Sequence, residues 1–101
     1  MTPQLIDNLQ GKAQEAANLM KTLANPNRLM VLCMLVNQEM CVSELNAKVP
    51  LSQSALSQQL AWLRKQDLVA TRRQSQTIYY SIKRNEVKLL LNTLHSIYCA
   101  E

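Results

Sequence analysis

The segment from Leu51 to Lys65 predicts one amphipathic helix with an unusual outer face. Leu56, Leu60 and Leu63 recur at the spacing that places apolar side chains on one stripe of a helix. The opposite side carries Ser54, Ser57, Gln58, Ala61 and Lys65. A solvated face usually carries Glu and Lys, whereas neutral hydroxyls and amides can donate to and accept from the edges of DNA bases. Ser52 is a good N-cap, so the positive end of this helix can face a phosphate.

A second helical pattern precedes this one. Val42, Leu45 and Val49 fall on one side of a short helix over residues 41–49. Pro50 then interrupts the pattern before the next helix starts. A short helix, a tight turn and a polar-faced helix follow one another in this way in a helix-turn-helix. The alternative interpretation is a pair of surface helices in an α-helical bundle.

Two strands are predicted after the polar-faced helix. Residues 68–73 and 77–82 are rich in β-branched and aromatic side chains, and Gln74, Ser75 and Gln76 connect them. Because the connection contains no glycine, we expect a loop that is looser than a tight primed turn. A two-stranded hairpin must pack beside other elements to be stable, so the pattern predicts a winged helix.

Basic residues concentrate in the same part of the chain. Residues 48–88 hold eight Lys and Arg against two acidic residues, whereas residues 1–47 hold three basic and four acidic residues. The positive charge therefore lies on the predicted DNA-binding part of a chain whose net charge is +4. Arg72 and Arg73 lie where the wing would meet DNA. The alternative is that both are solvated charges on an edge strand.

A length of 101 residues predicts a single domain, residues 1–101, with a modest core. The expected fold is mainly α with a small β-hairpin, in the order α-α-α-α-β-β-α. The longest apolar run, residues 29–36, is far too short to cross a membrane, and the N-terminus lacks the basic start of a signal peptide. We therefore expect a cytoplasmic protein with no membrane partner. Its thiols should stay reduced unless the protein functions through their oxidation.

The flanking helices predict a homodimer through the first and last helices. Thr2 and Pro3 suit the start of the first helix, and Asn85 can cap the last. A second helix is expected from Pro26 to about Gln38, with Asn25 as its cap. Apolar side chains recur along the first and last helices at Leu5, Leu9, Ala13, Ala16, Ala17, Met20, Leu23, Val87, Leu90, Leu91, Leu94, Ile97 and Tyr98. One chain of this size cannot bury all of them, and a two-fold dimer would match two half-sites on DNA.

Several segments carry a family resemblance. Residues 23–29, with the sequence Leu-Ala-Asn-Pro-Asn-Arg-Leu, the segment 51–64 and the strand 79–82 resemble the ArsR/SmtB winged-helix repressors, and the match covers essentially the whole chain. Segment 51–64 and the closing residues 94–99 are also similar to the persulfide-sensing branch of that family, the HlyU, BigR and SqrR type. Gln59 departs from the pattern, because many relatives have histidine there, although glutamine can still form hydrogen bonds.

The resemblance implies that Cys33 and Cys99 form a reactive pair, joined by a disulfide or a bridging polysulfide. The residues alone leave open a buried core cysteine at position 33 and an idle thiol near the terminus. A helix C-terminus disfavours a thiolate at Cys99, and apolar neighbours disfavour one at Cys33. His95, one turn before Cys99, offsets this only when protonated, and its alternative role is an ordinary polar residue at the dimer surface. Thiols that are not strongly acidic react poorly with dilute peroxide, so persulfides are the expected inducers.

Metal sensing and catalysis are the rival functions. Residues 39–45 resemble the arsenic- and cadmium-sensing segment of the family, but Ser43 stands where a second cysteine is needed, and a soft ion prefers two or three thiolates. One histidine with scattered carboxylates does not supply the family's paired zinc ligands. Cys41 is expected to be a small residue at a helix start, with a third redox-active thiol as the alternative. Neither a Cys-x-x-Cys motif nor a Gly-rich phosphate loop is present, so no enzyme, metal or cofactor is expected.

These inferences lead to a homodimeric repressor that binds double-stranded operator DNA and is released when a sulfane-sulfur or oxidant inducer links Cys33 and Cys99. The expected DNA-binding residues are Ser52, Gln53, Ser54, Ser57, Gln58, Gln59, Lys65, Arg72 and Arg73. Of these, Gln53, Ser54, Ser57 and Gln58 are expected at base edges, and the three basic residues mainly at phosphates or in the minor groove. The alternatives are a metal-responsive repressor using Cys41, and a constitutive or anti-repressing regulator without thiol sensing.

Overall fold

A computed structural model gives the structure of residues 3–99, except for the side chains of residues 4–6. Its helices are α1 (Pro3–Leu23), α2 (Pro26–Met34), α3 (Val42–Asn46), α4 (Gln53–Lys65) and α5 (Asn85–Tyr98), and its strands are β1 (Met40–Cys41), β2 (Val69–Gln74) and β3 (Thr77–Ile82). The predicted order of helices and hairpin is confirmed, and a short additional strand, β1, lies between α2 and α3. Within residues 3–99, no helix is both long enough and apolar enough to span a membrane.

The sheet has three antiparallel strands in the order β1-β3-β2. In β1, Met40 pairs with Tyr80 and Cys41 with Tyr79. β2 and β3 pair along their whole length. A two-residue strand is too short to show the alternation of side chains by which a strand is recognised in a sequence. Through β1, the wing is joined to the chain that links α2 and α3.

The turn of the wing differs from the sequence prediction. Gln74 pairs with Thr77, so Ser75 and Gln76 alone connect the two strands. Ser75 has a φ of 56°, which is the left-handed conformation that a tight hairpin turn requires. The expectation of a looser loop was wrong, because serine takes the conformation for which glycine is normally preferred.

Two helix starts form as predicted. The Asn25 side chain accepts a hydrogen bond of 3.0 Å from the Arg28 backbone N–H, and Pro26 is the first residue of α2. The Ser52 hydroxyl accepts a bond of 3.1 Å from the Ala55 N–H at the start of α4. These bonds satisfy N–H groups that have no partner inside the helix.

Three predicted boundaries were wrong. Asn85 is the first helical residue of α5 rather than its cap, and the capping position belongs to Arg84, whose side chain makes no cap bond. The helix α2 ends at Met34 instead of Gln38, and the buried Leu35 is its C-cap. The predicted third helix is shorter and starts after Cys41, which lies in β1. Thr2, the predicted cap of α1, lies outside the described residues.

The core lies between α2, α3, α4, the sheet and α5. Its buried members are Leu23, Val31, Leu32, Leu35, Met40, Leu45, Val49, Leu56, Leu60, Leu63, Leu68, Val69, Ile82, Val87 and Leu91. The predicted stripe of α4 is confirmed, since Leu56, Leu60 and Leu63 are all fully buried. Of the described side chains of α1, only Leu23 is buried, so most of this long helix has no covering partner in one chain.

Candidate DNA-reading surface and thiol groove

The exposed side of α4 is the candidate reading face, formed by Ser52, Gln53, Ser54, Ser57 and Gln58. All five side chains are exposed, while the leucine stripe on the other side of the helix is buried. The capped N-terminus of α4 and the neutral donors and acceptors therefore lie on one accessible surface. A helix that enters the major groove by its N-terminal part needs this arrangement.

Gln59 lies at the edge of the reading face and is half-buried. Its Oε1 accepts a hydrogen bond of 3.5 Å from Nε of Arg28, which belongs to α2. Gln59 therefore turns toward the body of the protein, unlike its neighbour Gln58. Sequence reasoning missed Arg28, because nothing local in its helix indicates a contact 31 residues away.

Lys65 is exposed at the opposite end of α4 from the reading face. A rise of 1.5 Å per residue places it about 18 Å along the helix axis from Gln53. At this distance Lys65 can contact a phosphate while the start of α4 lies in a groove. Its positive charge in the last turn also suits the negative end of the helix dipole.

On the wing, Arg72 already has partners within the protein. Its Nε donates to both carboxylate oxygens of Glu39, at 3.0 and 3.1 Å, and Nη1 donates to Gln74 at 3.0 Å. The guanidinium lies over the ring of Tyr79, 4.7 Å from its centroid. The hydrogen bond from Arg72 holds the pKa of the Glu39 carboxyl below its usual range. Glu39, which lies between α2 and β1, was not predicted as a partner of the wing.

Arg73 is exposed one residue further along β2, beside the turn. Its Nε donates to the Ser75 backbone carbonyl at 3.2 Å, and within residues 3–99 no carboxylate forms an ion pair with it. The two wing arginines therefore differ, since Arg72 is held by Glu39 while the charge of Arg73 is uncompensated.

Cys33 and Cys99 line one groove of about 550 Å³ between α2 and α5, called the thiol groove below. Its walls are formed by Leu29, Cys33, Met34, Val36, Asn37, Gln38, Asn92, Leu94, His95, Tyr98 and Cys99. Both thiols are free, Cys33 half-buried and Cys99 exposed. The fold thus brings together two cysteines that the sequence separates by most of the domain, which sequence reasoning on the residues alone could not show.

The electrostatics of the thiol groove keep Cys33 protonated. Burial raises the pKa of the Cys33 thiol, and the nearby Cys99 raises it further, because two thiolates would repel each other. Among residues 3–99, no Lys, Arg, Asp or Glu is part of the groove wall, which includes His95. The predicted effect of apolar surroundings on Cys33 is confirmed.

Cys41 begins α3. Its backbone N–H donates to the Glu44 carboxylate at 3.0 Å, and its Sγ lies 3.2 Å from the Ser43 hydroxyl. The hydrogen bond from the backbone lowers the pKa of Glu44. Cys41 is thus a small residue at a helix start, as predicted. In the part of the chain that the structure describes, no three His, Cys, Asp or Glu side chains are grouped to hold a metal.

Large apolar side chains on α1, α2 and α5 remain exposed. They are Leu9 and Met20 in α1, Met30 in α2, and Leu89, Ile97 and Tyr98 in α5. Of the predicted apolar positions of α5, Val87 and Leu91 belong to the core, while Ile97 and Tyr98 are 64% and 80% exposed. Leu89 and Ile97 therefore lie on an uncovered side of α5, whereas Tyr98, seven residues after Leu91, continues the core-facing side beyond the covered part of the helix.

Known proteins share both the sequence and the fold. Residues 25–71 match the family described as "Bacterial regulatory protein, arsR family". The chain is 44% identical over 97 residues to "Transcriptional activator HlyU" of Vibrio cholerae. The matched region covers 96% of this chain and 90% of that protein.

Two solved structures are also similar. That of the transcriptional regulator HlyU from Vibrio vulnificus has a TM-score of 0.89 and 52% identity, covering 93% of this chain and 98% of the other. The transcriptional repressor BigR from Xylella fastidiosa has a TM-score of 0.84 and 41% identity, with 93% of each chain covered. The chain therefore has a winged-helix fold and is a member of the arsR family of DNA-binding transcriptional regulators.

Proposed function

We propose that this protein is a homodimeric repressor whose affinity for operator DNA falls when Cys33 and Cys99 become linked. The observation that carries the proposal is the thiol groove, where both cysteines lie between α2 and α5, away from the reading face. A lone buried cysteine would support packing, whereas two free thiols in one open groove can be joined by a bound sulfur donor. The inducer is a persulfide or another carrier of sulfane sulfur, with a peroxide-type oxidant as the weaker alternative.

The exposures of the two thiols suggest an order of steps. Exposed Cys99 attacks the outer sulfur of a donor R–S–SH, releasing R–SH and becoming a persulfide itself. Cys33 then attacks the Cys99 sulfur and releases H₂S, which leaves a disulfide and a loss of two hydrogens from the protein. When a second donor first extends this group to Cys99–S–S–SH, Cys33 attacks the middle sulfur instead, which releases H₂S and leaves a bridging trisulfide. The raised pKa of Cys33 makes the closing step slow at neutral pH.

Linkage acts on DNA through the dimer. An inducer changes affinity only by stabilising one arrangement of the protein over another. A bridge from α2 to α5 ties the core to the helix that carries the exposed side chains of Leu89, Ile97 and Tyr98. A change in this proposed interface alters the separation of the two reading helices, which must match major grooves about 34 Å apart.

Gln58→Ala tests the reading face. The side chain is exposed next to the buried stripe, and loss of its hydrogen bonds to a base edge should relax sequence preference at a cost of about 1–3 kcal/mol. Binding sites are first selected from random duplexes with the parent protein, and both proteins are then titrated on the selected site and on single-base variants. Gln66→Ala, exposed at the far end of α4, is the matched control and should discriminate as the parent does. Unchanged discrimination by Gln58→Ala would contradict the assignment.

Arg73→Gln should weaken specific and nonspecific binding alike, because Arg73 has no carboxylate partner among the described residues. The slope of log affinity against log salt should fall by about 1 for each wing that loses a phosphate contact. Arg72→Gln is the matched variant, and its slope should change less, because Glu39 already holds that guanidinium. Gel shifts at several salt concentrations measure both slopes. Equal slopes for Arg73→Gln and the parent would remove Arg73 from the DNA contact.

The second candidate function is anti-repression, in which this protein displaces another repressor from the same DNA. The name of the Vibrio cholerae relative, a transcriptional activator, favours it. Transcription from a promoter containing the selected site, with purified polymerase and no other regulator, separates the two. A direct repressor should lower transcript levels in this assay, whereas an anti-repressor should not.

A further inference from the structure

Arg28 joins three helices at one point. Its Nη1 donates a hydrogen bond of 2.8 Å to the backbone carbonyl of Thr22, which lies in the last turn of α1. Its Nε points at Oε1 of Gln59, 3.5 Å away, and its guanidinium carbon lies 3.9 Å from the centroid of the Trp62 ring. Gln59 and Trp62 both belong to α4, whereas Arg28 belongs to α2. This group is called the Arg28 junction below.

Each contact of the junction satisfies a different need. The carbonyl of Thr22 has no partner within α1, because the last four carbonyls of a helix have no donor in the helix. Gln59 and Trp62 are three residues apart, so they lie on one side of α4 and meet the same guanidinium. An arginine stacked on an aromatic ring stabilises the pair by cation–π attraction. Arg28 therefore attaches the end of α1 and the flank of α4 to the start of α2.

The chemistry of the junction depends on a guanidinium. Within residues 3–99, no carboxylate forms an ion pair with Arg28, so a carbonyl, an amide and a ring face surround its charge. Several donors in one plane and a flat face are needed to reach all three partners. A lysine ammonium has the positive charge but neither the planar set of N–H donors nor the flat face.

We propose that Arg28 is a positioning residue for DNA reading, which holds α4 in place and transmits changes at the thiol groove to the reading face. Gln59 directly follows Gln58 of the reading face, so a shift of the junction moves the residues that face DNA. Cys33 lies five residues after Arg28 on the same helix, and the fully buried Val31 and Leu32 between them anchor α2 in the core. The transmitting role rests on the proposed thiol function, whereas the positioning role requires only DNA binding.

The first test uses the reduced protein and compares Arg28→Lys and Arg28→Gln with the parent. Both variants should lose about tenfold in affinity for the selected site, as expected when a cation–π contact and a capping hydrogen bond disappear. Their salt slopes should equal that of the parent, since Arg28 contacts no phosphate in this proposal. Trp62 is the chain's single tryptophan, so its emission and its quenching by acrylamide report directly on the junction and should change in both variants.

Three outcomes would overturn the positioning role. The first is an Arg28→Lys protein that binds the selected site as tightly as the parent does. The second is a reduced salt slope in either variant, as expected of Arg73→Gln, because it would make Arg28 a phosphate contact. The third is an unchanged Trp62 signal in both variants. If an Arg28 variant fails to fold, Gln59→Ala removes one contact of the junction and should lower affinity in the same direction by a smaller factor. Full affinity in Gln59→Ala would then count against the proposal.

The second test concerns transmission. Treatment with glutathione persulfide should change the Trp62 emission of the parent and lower its DNA affinity, and both changes should be much smaller in Arg28→Lys. If the parent responds and Arg28→Lys shows the same ratio of reduced to linked affinity as the parent, transmission through Arg28 is overturned. A parent that does not respond at all would overturn the thiol function, while the reduced-state test would still decide the positioning role.

Discussion

Cys33→Ser and Cys99→Ser proteins should each bind operator DNA as the reduced parent does and should fail to release it when persulfide is added. One thiol cannot close the bridge between α2 and α5 across the thiol groove. In the parent, linkage should lower affinity about 5–150-fold, the range that corresponds to an allosteric coupling of about 1–3 kcal/mol. Gel shifts before and after treatment measure the response of each protein.

Mass spectrometry identifies the chemical change. The treated parent should lose two hydrogens or gain bridging sulfur, with Cys33 and Cys99 in one linked peptide pair. Cys41→Ser is the control, because Cys41 is the N-cap of α3, beside Ser43, and does not line the thiol groove. It should respond as the parent does. A Cys33→Ser protein that persulfide still releases, or a parent that only zinc, cadmium or arsenite releases, would favour metal sensing instead.

The pH dependence gives an independent check on the closing step. Burial and the neighbouring Cys99 raise the pKa of Cys33, so the fraction of reactive thiolate at this position grows only at high pH. The rate of bridge formation should therefore still rise above pH of about 8.5, where an ordinary thiol is half ionised. A rate that levels off well below this value would mean that Cys33 is not the closing thiol.

Ile97→Glu should produce folded monomers, whereas Leu91→Glu should unfold the chain. Both changes add one carboxylate to α5, but Ile97 is 64% exposed in the single chain and Leu91 is 1% exposed. At position 97 the carboxylate stays in water until a second chain covers it, so it opposes association. At position 91 it loses core packing worth about 2–5 kcal/mol and buries an unpaired charge as well. That loss is comparable to the whole stability of a small domain, about 5–15 kcal/mol.

Sedimentation equilibrium and circular dichroism separate these two outcomes. Ile78→Glu is the control, since Ile78 is an exposed isoleucine of the wing, outside the proposed interface. It should remain a dimer. A dimer of unaltered strength in Ile97→Glu would exclude the end of α5 from the interface. Folded Leu91→Glu protein would contradict the place of Leu91 in the core.

Local patterns in the sequence predicted much of this molecule. The leucine stripe, the Ser52 cap and the exposed hydroxyls and amides of α4 follow from helical periodicity within a few turns. The strands of the wing follow from runs of β-branched and aromatic residues. Strand β1 was missed because two residues are too few to show the alternation of a strand. The turn was misjudged because Ser75 takes a positive φ, which the residue type serine does not predict.

By itself, then, the sequence determined the helices, the hairpin and the composition of the reading face, since periodicity, caps and propensities act between near neighbours. Only the tertiary structure decided which distant side chains meet. It placed Cys33 and Cys99 in one groove and turned Gln59 toward Arg28. The physical reason is that contacts between distant segments depend on how the whole core packs, and no short stretch of sequence carries that information.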